Sequence, residues 1–137
     1  DLEVTGPLQV HLWAASSAPD TDFVARLTDV FPDGRSINLA DGIMRARYRN
    51  VAQGEAPSLI EPGQPYLYII DLWATSNLFK AGHCIRLQIT SSNFPRWDRN
   101  SNTGRALGTD THLMVAQQTI LHDSAHASFV LLPLVES

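Results

Sequence analysis

Hydrophobic residues recur at every second position along much of this chain, and that period constrains the fold more than any other feature. Leu8, Val10, Leu12 and Ala14 share one face of their segment, with Gln9, His11 and Trp13 on the other. Phe23, Ala25 and Leu27 alternate with Asp22, Val24, Arg26 and Thr28, and Ile85, Leu87 and Ile89 oppose Arg86, Gln88 and Thr90. A pleated strand sends successive side chains to opposite faces, so each segment reads as a strand with one face on a core. Tyr66–Trp73 and Ser128–Val135 are apolar on both faces. That pattern fits strands buried from both sides, or strands whose outer face meets a partner. Trp73, closing the first of these runs, reads as core.

The punctuation agrees. Pro32-Asp33-Gly34 predicts a hairpin turn between Thr21–Phe31 and Arg35–Leu39, because proline presets φ and glycine accepts positive φ. Asp41-Gly42, Pro62-Gly63 and Ala81-Gly82 predict further turns. Ile43–Arg49 fits either a strand or a helical turn. From Asn93 to Thr111 the pattern dissolves into Pro, Asn, Ser, Gly and Arg, and loops that long inside a domain are often functional. Seven or eight short strands without a long helix predict an all-β fold, a sandwich or jelly roll. At 137 residues the chain has room for one domain, 1–137.

Charge then narrows the partners. Net charge −4 opposes non-specific nucleic-acid binding, which needs a basic stripe to neutralise phosphates. No apolar run approaches the ~18–20 residues of a membrane-spanning helix. Cys84 is the only cysteine, which excludes an internal disulfide framework and a multi-cysteine zinc site and leaves the redox compartment open. No signal-peptide pattern is present, and Asp1 in place of methionine reads as an excerpt or a processed product. Charged residues make up only 18%, against about 25% typically. Nine of the ten basic residues are Arg, with Lys80 the exception. Such a deficit predicts an apolar face that another body covers.

Catalytic motifs are absent. The string nearest a nucleophile elbow, Gly34-Arg35-Ser36-Ile37-Asn38, lacks the second glycine and follows a hairpin turn. No phosphate-binding glycine loop, dinucleotide fingerprint or His-Glu-x-x-His occurs, and no cofactor is expected. His122 and His126, four apart with Asp123 beside them, would share one face of a helix and suggest a metal site, but their flanks read as strand, turn, strand, which favours a polar turn. Asp20 and Asp22 bring two carboxylates together, but Pro19 favours a loop entry with Asp20 as a structural cap. Asp98, Asn100 and Asn102 offer alternating oxygens, a weak calcium candidate. Thr103 stands where a calcium loop of the EF-hand type wants glycine, and Thr109 where it wants glutamate. Otherwise these side chains tie the loop to its own backbone. Trp97, between Arg96 and Asp98 and near Phe94, is either a sugar platform, an interface anchor or a lid on one end of the sandwich. Trp13, on the polar face of its strand, is a second interface candidate.

Taken in order, the segments resemble one family. Asp1-Leu2-Glu3-Val4-Thr5-Gly6-Pro7, Asp20-Thr21-Asp22-Phe23 and Val30-Phe31-Pro32-Asp33-Gly34-Arg35 match its opening. Asp41-Gly42-Ile43, Arg45 and Arg47-Tyr48-Arg49 continue it. Ala74-Thr75-Ser76-Asn77, Phe79, Gly82-His83 and Ser91-Ser92-Asn93-Phe94-Pro95-Arg96-Trp97-Asp98-Arg99-Asn100 are the most specific stretch, and His122-Asp123 through Leu132-Pro133 close it. The chain resembles the C-terminal domain of X-prolyl dipeptidyl-peptidases and cocaine-esterase-like serine hydrolases. The resemblance implies a galactose-binding-domain-like jelly roll beside an α/β-hydrolase domain and its helical cap. It also implies hydrolysis of ester or amide bonds through a Ser-His-Asp triad that lies in the hydrolase domain, so no catalytic residue falls on this chain. Family domains begin with a strand before the stretch matching Asp1, so an edge strand is expected to be missing.

Two readings follow. In the first, the chain is a non-catalytic domain that packs on the catalytic α/β-hydrolase domain of the same parent protein and borders its substrate cleft. It contacts that domain through Trp13, Phe94, Arg96, Trp97 and Arg99, with self-association left open. In the second, it is a self-standing carbohydrate- or ligand-binding sandwich using the Trp97 loop.

Overall fold

The computed structural model describes residues 1–135. Strands β1 (Leu2–Ser16), β2 (Asp22–Val30), β3 (Ser36–Arg45), β4 (Tyr66–Phe79), β5 (Cys84–Thr90), β6 (Gln118–Ile120) and β7 (Phe129–Leu131) form two antiparallel sheets. In the first sheet β4 lines one side of β1, while β6 and β7 share its other side in turn. The second sheet has the order β3-β2-β5. The fold is the expected all-β sandwich, although β1 and β4 run to 15 and 14 residues rather than being short.

The alternating residues meet between the sheets. Leu8, Val10, Leu12 and Ala14 from β1 and Tyr68, Ile70 and Leu72 from β4 face Phe23, Ala25 and Leu27 from β2 in one cluster. Burying each large aliphatic or aromatic side chain contributes about 1.5–3 kcal/mol, so this cluster dominates the gross stabilisation. Of the two options for β4, the structure shows burial on one face, with Leu67 and Ile69 half-exposed outside. β7 likewise leaves Phe129 and Leu131 exposed. Tyr68 is fully buried with its hydroxyl unpartnered, and that burial pushes the phenol well above its ordinary range.

Turn prediction held at Pro32-Asp33-Gly34, where Gly34 N–H donates to the Phe31 carbonyl and Asp33 accepts from the Arg35 N–H. Gly63 and Gly82 also adopt the positive φ of their turns. Asp41-Gly42 is a correction. Both residues lie inside β3, with Gly42 opposite Ala25. Gly42 is glycine because the sheets touch there: a Cβ would stand 1.9 Å from the Asp71 carbonyl oxygen of β4 and 3.1 Å from the Leu72 side chain. Ile43–Arg49 proves to be both of its alternatives, strand to Arg45 and then a 3-10 turn over Ala46–Tyr48.

Gly42→Ala must therefore push two sheets apart against backbone that cannot yield. The expected loss is about 2–3 kcal/mol, the upper part of the overpacking range, read as a lower urea midpoint. An unchanged midpoint would contradict the close approach.

Candidate functional site

The outer face of the β3-β2-β5 sheet carries the polar half of the alternation, which is exposed on β5 but buried or half-buried on β2. Asp22 stands directly opposite Arg45, Val24 opposite Ile43, and Arg26 opposite Asp41. Arg45 Nε and Nη2 donate to the two Asp22 oxygens at 2.8 and 2.9 Å, a bidentate pair that holds the guanidinium firmly charged. Arg26 lies 3.7 Å from Asp41. Beside this ladder, Arg47 pairs with Asp20, whose side chain is 0% exposed. Asp20 does cap structure, as expected: its Oδ1 accepts the Arg47 backbone N–H at 3.0 Å at the start of the 3-10 turn, while its Oδ2 takes the Arg47 guanidinium.

The long loop is laid over the ladder and stitched to it. Asn93 accepts from Arg26 and donates to Asp41, and Arg96 pairs with Asp41 at 3.0 Å. Asp98 accepts from Arg45. Asn100 donates from one amide nitrogen to both Asp20 and Asp22, at 3.0 and 2.8 Å, and accepts from the Asn102 N–H. Asn102 in turn donates to the Met114 carbonyl. Of the calcium candidates, the Asp98 oxygens are therefore engaged by Arg45 and the Asn100 oxygen by the Asn102 N–H, while Asn102 is held through its amide nitrogen. Among the described residues no group of three His, Cys, Asp or Glu side chains gathers as metal ligands do.

Farther along, Asp110 anchors the return of the loop. Its carboxylate accepts from the Thr103 hydroxyl and the His112 N–H, which hold its pKa below the ordinary aspartate value, with Arg105 adding to the effect.

The stitched loop shapes a face. Trp97 is half-buried, with the Arg96 guanidinium 4.9 Å from its ring centroid. It lines a hollow of about 240 Å³ with Ile43, Met44, Arg45, Tyr48 and Asp98. A second hollow, about 190 Å³, is lined by residues of β3, by Leu72, Trp73 and Ala74 of β4, and by Arg96. Arg96 stands between them. Phe94 points outward, 67% exposed, and Arg99 is exposed.

Trp73 is the second correction. Instead of joining the core it is 70% exposed. Leu72 and Trp73 together oppose the single Leu8 at a β-bulge, and Trp73 takes φ 67 with its N–H donating to Asp71 Oδ1. Tyr68, Ile70 and Leu72 face the core, so alternation already sends Trp73 outward, and the bulge then shifts the parity so that Phe79 faces inward. Left-handed backbone costs a residue with a Cβ about 1–2 kcal/mol.

Trp13 lies elsewhere. It projects from the outer face of β1, in the opposite sheet, and is partly covered by its own chain. His126 meets the ring edge-on at 5.0 Å, and Ser128 accepts from the Trp13 N–H. No single flat surface covers both Trp13 and the Phe94–Arg99 loop. Sequence reading singled out Phe94, Arg96, Trp97 and Arg99, which the structure places on one loop, but read Trp73 as core and did not pair Asp22 with Arg45 or Arg26 with Asp41. The rungs were legible as opposite charges at period two on facing strands, whereas a bulge leaves no such mark.

Comparison with known proteins places these features in context. The family model described as X-Pro dipeptidyl-peptidase C-terminal non-catalytic domain matches residues 1–131. Cocaine esterase of Rhodococcus sp. (strain MB1 Bresler) is 47% identical over 98% of this chain, which spans 24% of that protein. Among solved structures, an alpha-amino acid ester hydrolase superposes with TM-score 0.89 at 28% identity, and an aminopeptidase from a marine sediment Thaumarchaeota archaeon with 0.83 at 27%. Each of these alignments covers 98% of this chain and 24% of the other. The chain thus spans about a quarter of the length of these relatives.

Two outcomes follow from the stitching. Asn100→Asp places a third carboxylate between two buried ones and is expected to cost more stability than Asn100→Ala, itself about 1–3 kcal/mol for two hydrogen bonds to charged groups. Equal, negligible losses in both would show that Asn100 holds nothing. Asp110 has a lowered native pKa, so its stabilisation is complete above the unfolded value of about 3.9 and lost as pH falls through the native one. Proteolytic nicking within residues 101–114 should accelerate below about pH 4, and Asp110→Asn should already be fast at pH 7.

Proposed function

The chain belongs to the X-Pro dipeptidyl-peptidase C-terminal non-catalytic domain family, and from that premise we propose that it serves a serine hydrolase as a docking domain. Its parent is an esterase, acylase or X-Pro dipeptidyl-peptidase, and it packs on the α/β-hydrolase catalytic domain of the same chain at the border of the substrate cleft. The observation that carries this reading is the Asn93–Asn100 loop. Buried charges fix its backbone, yet Phe94 is held out to solvent. A loop held that firmly while exposing a large aromatic side chain is built like the centre of an interface, where aromatic and Arg residues carry most of the energy. Relatives about four times as long supply the body to be met. Phe94, Arg96, Trp97 and Arg99 form the contact on this reading. Trp13, on the far face and partly covered by His126, is a secondary contact at most.

Hydrolysis then belongs to the parent protein. The isolated chain is expected to turn over neither esters nor X-Pro dipeptides, and deleting it from the full-length protein should lower the thermal midpoint of the remainder. Turnover that copurifies and scales with the isolated chain, or a deletion without effect, would refute the proposal.

A further inference from the structure

Trp73 is the feature of this molecule that packing within the chain does not account for. Its indole is 70% exposed, its backbone is left-handed, and the bulge on which it sits carries the hydrogen bond from its N–H to Asp71. Glycine would satisfy the same backbone without strain. Bulky residues held in sparsely populated conformations cluster at binding sites, where the surrounding structure over-determines them. Here it does. Gly42 packs against the Asp71 carbonyl just before the bulge, and β1 is paired with β4 on both sides of it.

The surroundings of Trp73 point to its partner. It lines one hollow with Arg96, and the Arg96 guanidinium lies over the ring of Trp97, which lines the next hollow with Arg45 and Tyr48, so aromatic and Arg groups alternate along one edge of the sandwich. Arg96 and Arg99 are exposed on this rim, and Arg99 makes no ion pair among the described residues. Resting on the docking role proposed above, we infer that Trp73 is the anchor of that interface. It inserts into an apolar socket on the catalytic part of the parent chain, and carboxylates at the socket's rim meet Arg96 and Arg99. The length of the relatives gives the occupant, since three-quarters of each lies outside the aligned region. The indole gives the socket its apolar character, and the two guanidinium groups give its rim a negative charge.

The full-length parent chain provides the test. Hydroxyl-radical footprinting with peptide mass spectrometry is expected to find Trp73 severalfold less oxidised than in the urea-unfolded chain, despite its exposure within this domain. Trp73→Gly suits φ 67, so the sandwich should keep its hydrogen-exchange protection in β1 and β4. Amides of residues 94–98 should meanwhile exchange roughly thirtyfold faster, the loss expected for truncating an interface hot spot. Trp73→Phe, which keeps an aromatic ring and the strained backbone, should restore most of the protection. Trp73 oxidising as readily as in the unfolded chain, or Trp73→Gly leaving residues 94–98 unchanged, would overturn the assignment. Deletion of the whole domain separates the two ideas. If deletion is harmless the docking role fails, and if deletion destabilises while Trp73→Gly does not, only the anchor fails.

Discussion

Everything on the functional side of this molecule hangs from two cross-strand rungs, Asp22–Arg45 and Arg26–Asp41, on the face of a sheet that alternation alone would leave wet. Two charges taken from water cost several kcal/mol each unless geometry and further hydrogen bonds compensate. The compensation comes from the 93–100 loop, whose Asn93, Asp98 and Asn100 add hydrogen bonds to both rungs, leaving Arg26 Nε buried without a partner. The dependence runs both ways. The loop has no strand partner and takes its shape from the charges, while the charges stay buried only because the loop covers them.

This arrangement also gives the low charge content a physical meaning. Four of the nine arginines are spent inside the domain: Arg26, Arg45 and Arg47 reach buried carboxylates, and Arg49 binds carbonyls of Ala46 and Ser58 beneath the Tyr66 ring. The planar, multiply donating guanidinium fits these sites where a lysine ammonium would not, which accounts for nine Arg against one Lys. The surface left over is apolar in places, as at Trp73 and Phe94, and at Leu113–Val115, where Val115 is 90% exposed.

What the sequence displays is the part of the structure that repeats. Period-two runs located β1, β2 and β5 and assigned their inner faces correctly, because a strand's register forces every second side chain the same way. Single-residue events were illegible. Gly42 looks like any turn glycine until β4 is seen against it. Trp73 looks like core because its run is apolar on both faces, which hides that Tyr68, Ile70 and Leu72 point inward and Trp73 does not. For β2 only the core face was assigned, because nothing local says that residues about seventy positions later will roof the other one. The loop residues were found because their composition was odd, and the Asp–Arg rungs beneath them escaped because each residue alone is ordinary.

The long first strand has a consequence in time. β1 ends at Ser16, and its partners are residues 66–79, 118–120 and 129–131. Non-local pairing of this kind slows folding, since loop closure must precede any reward. At a synthesis rate of about 5–20 residues per second, β1 waits on the order of several seconds for β4 alone, and longer for β7. Throughout that interval it is an alternating apolar ribbon with both edges open, the kind of segment that pairs with the wrong chain. A cell making this protein must shelter those fifteen residues at the start of the domain until its last strand arrives.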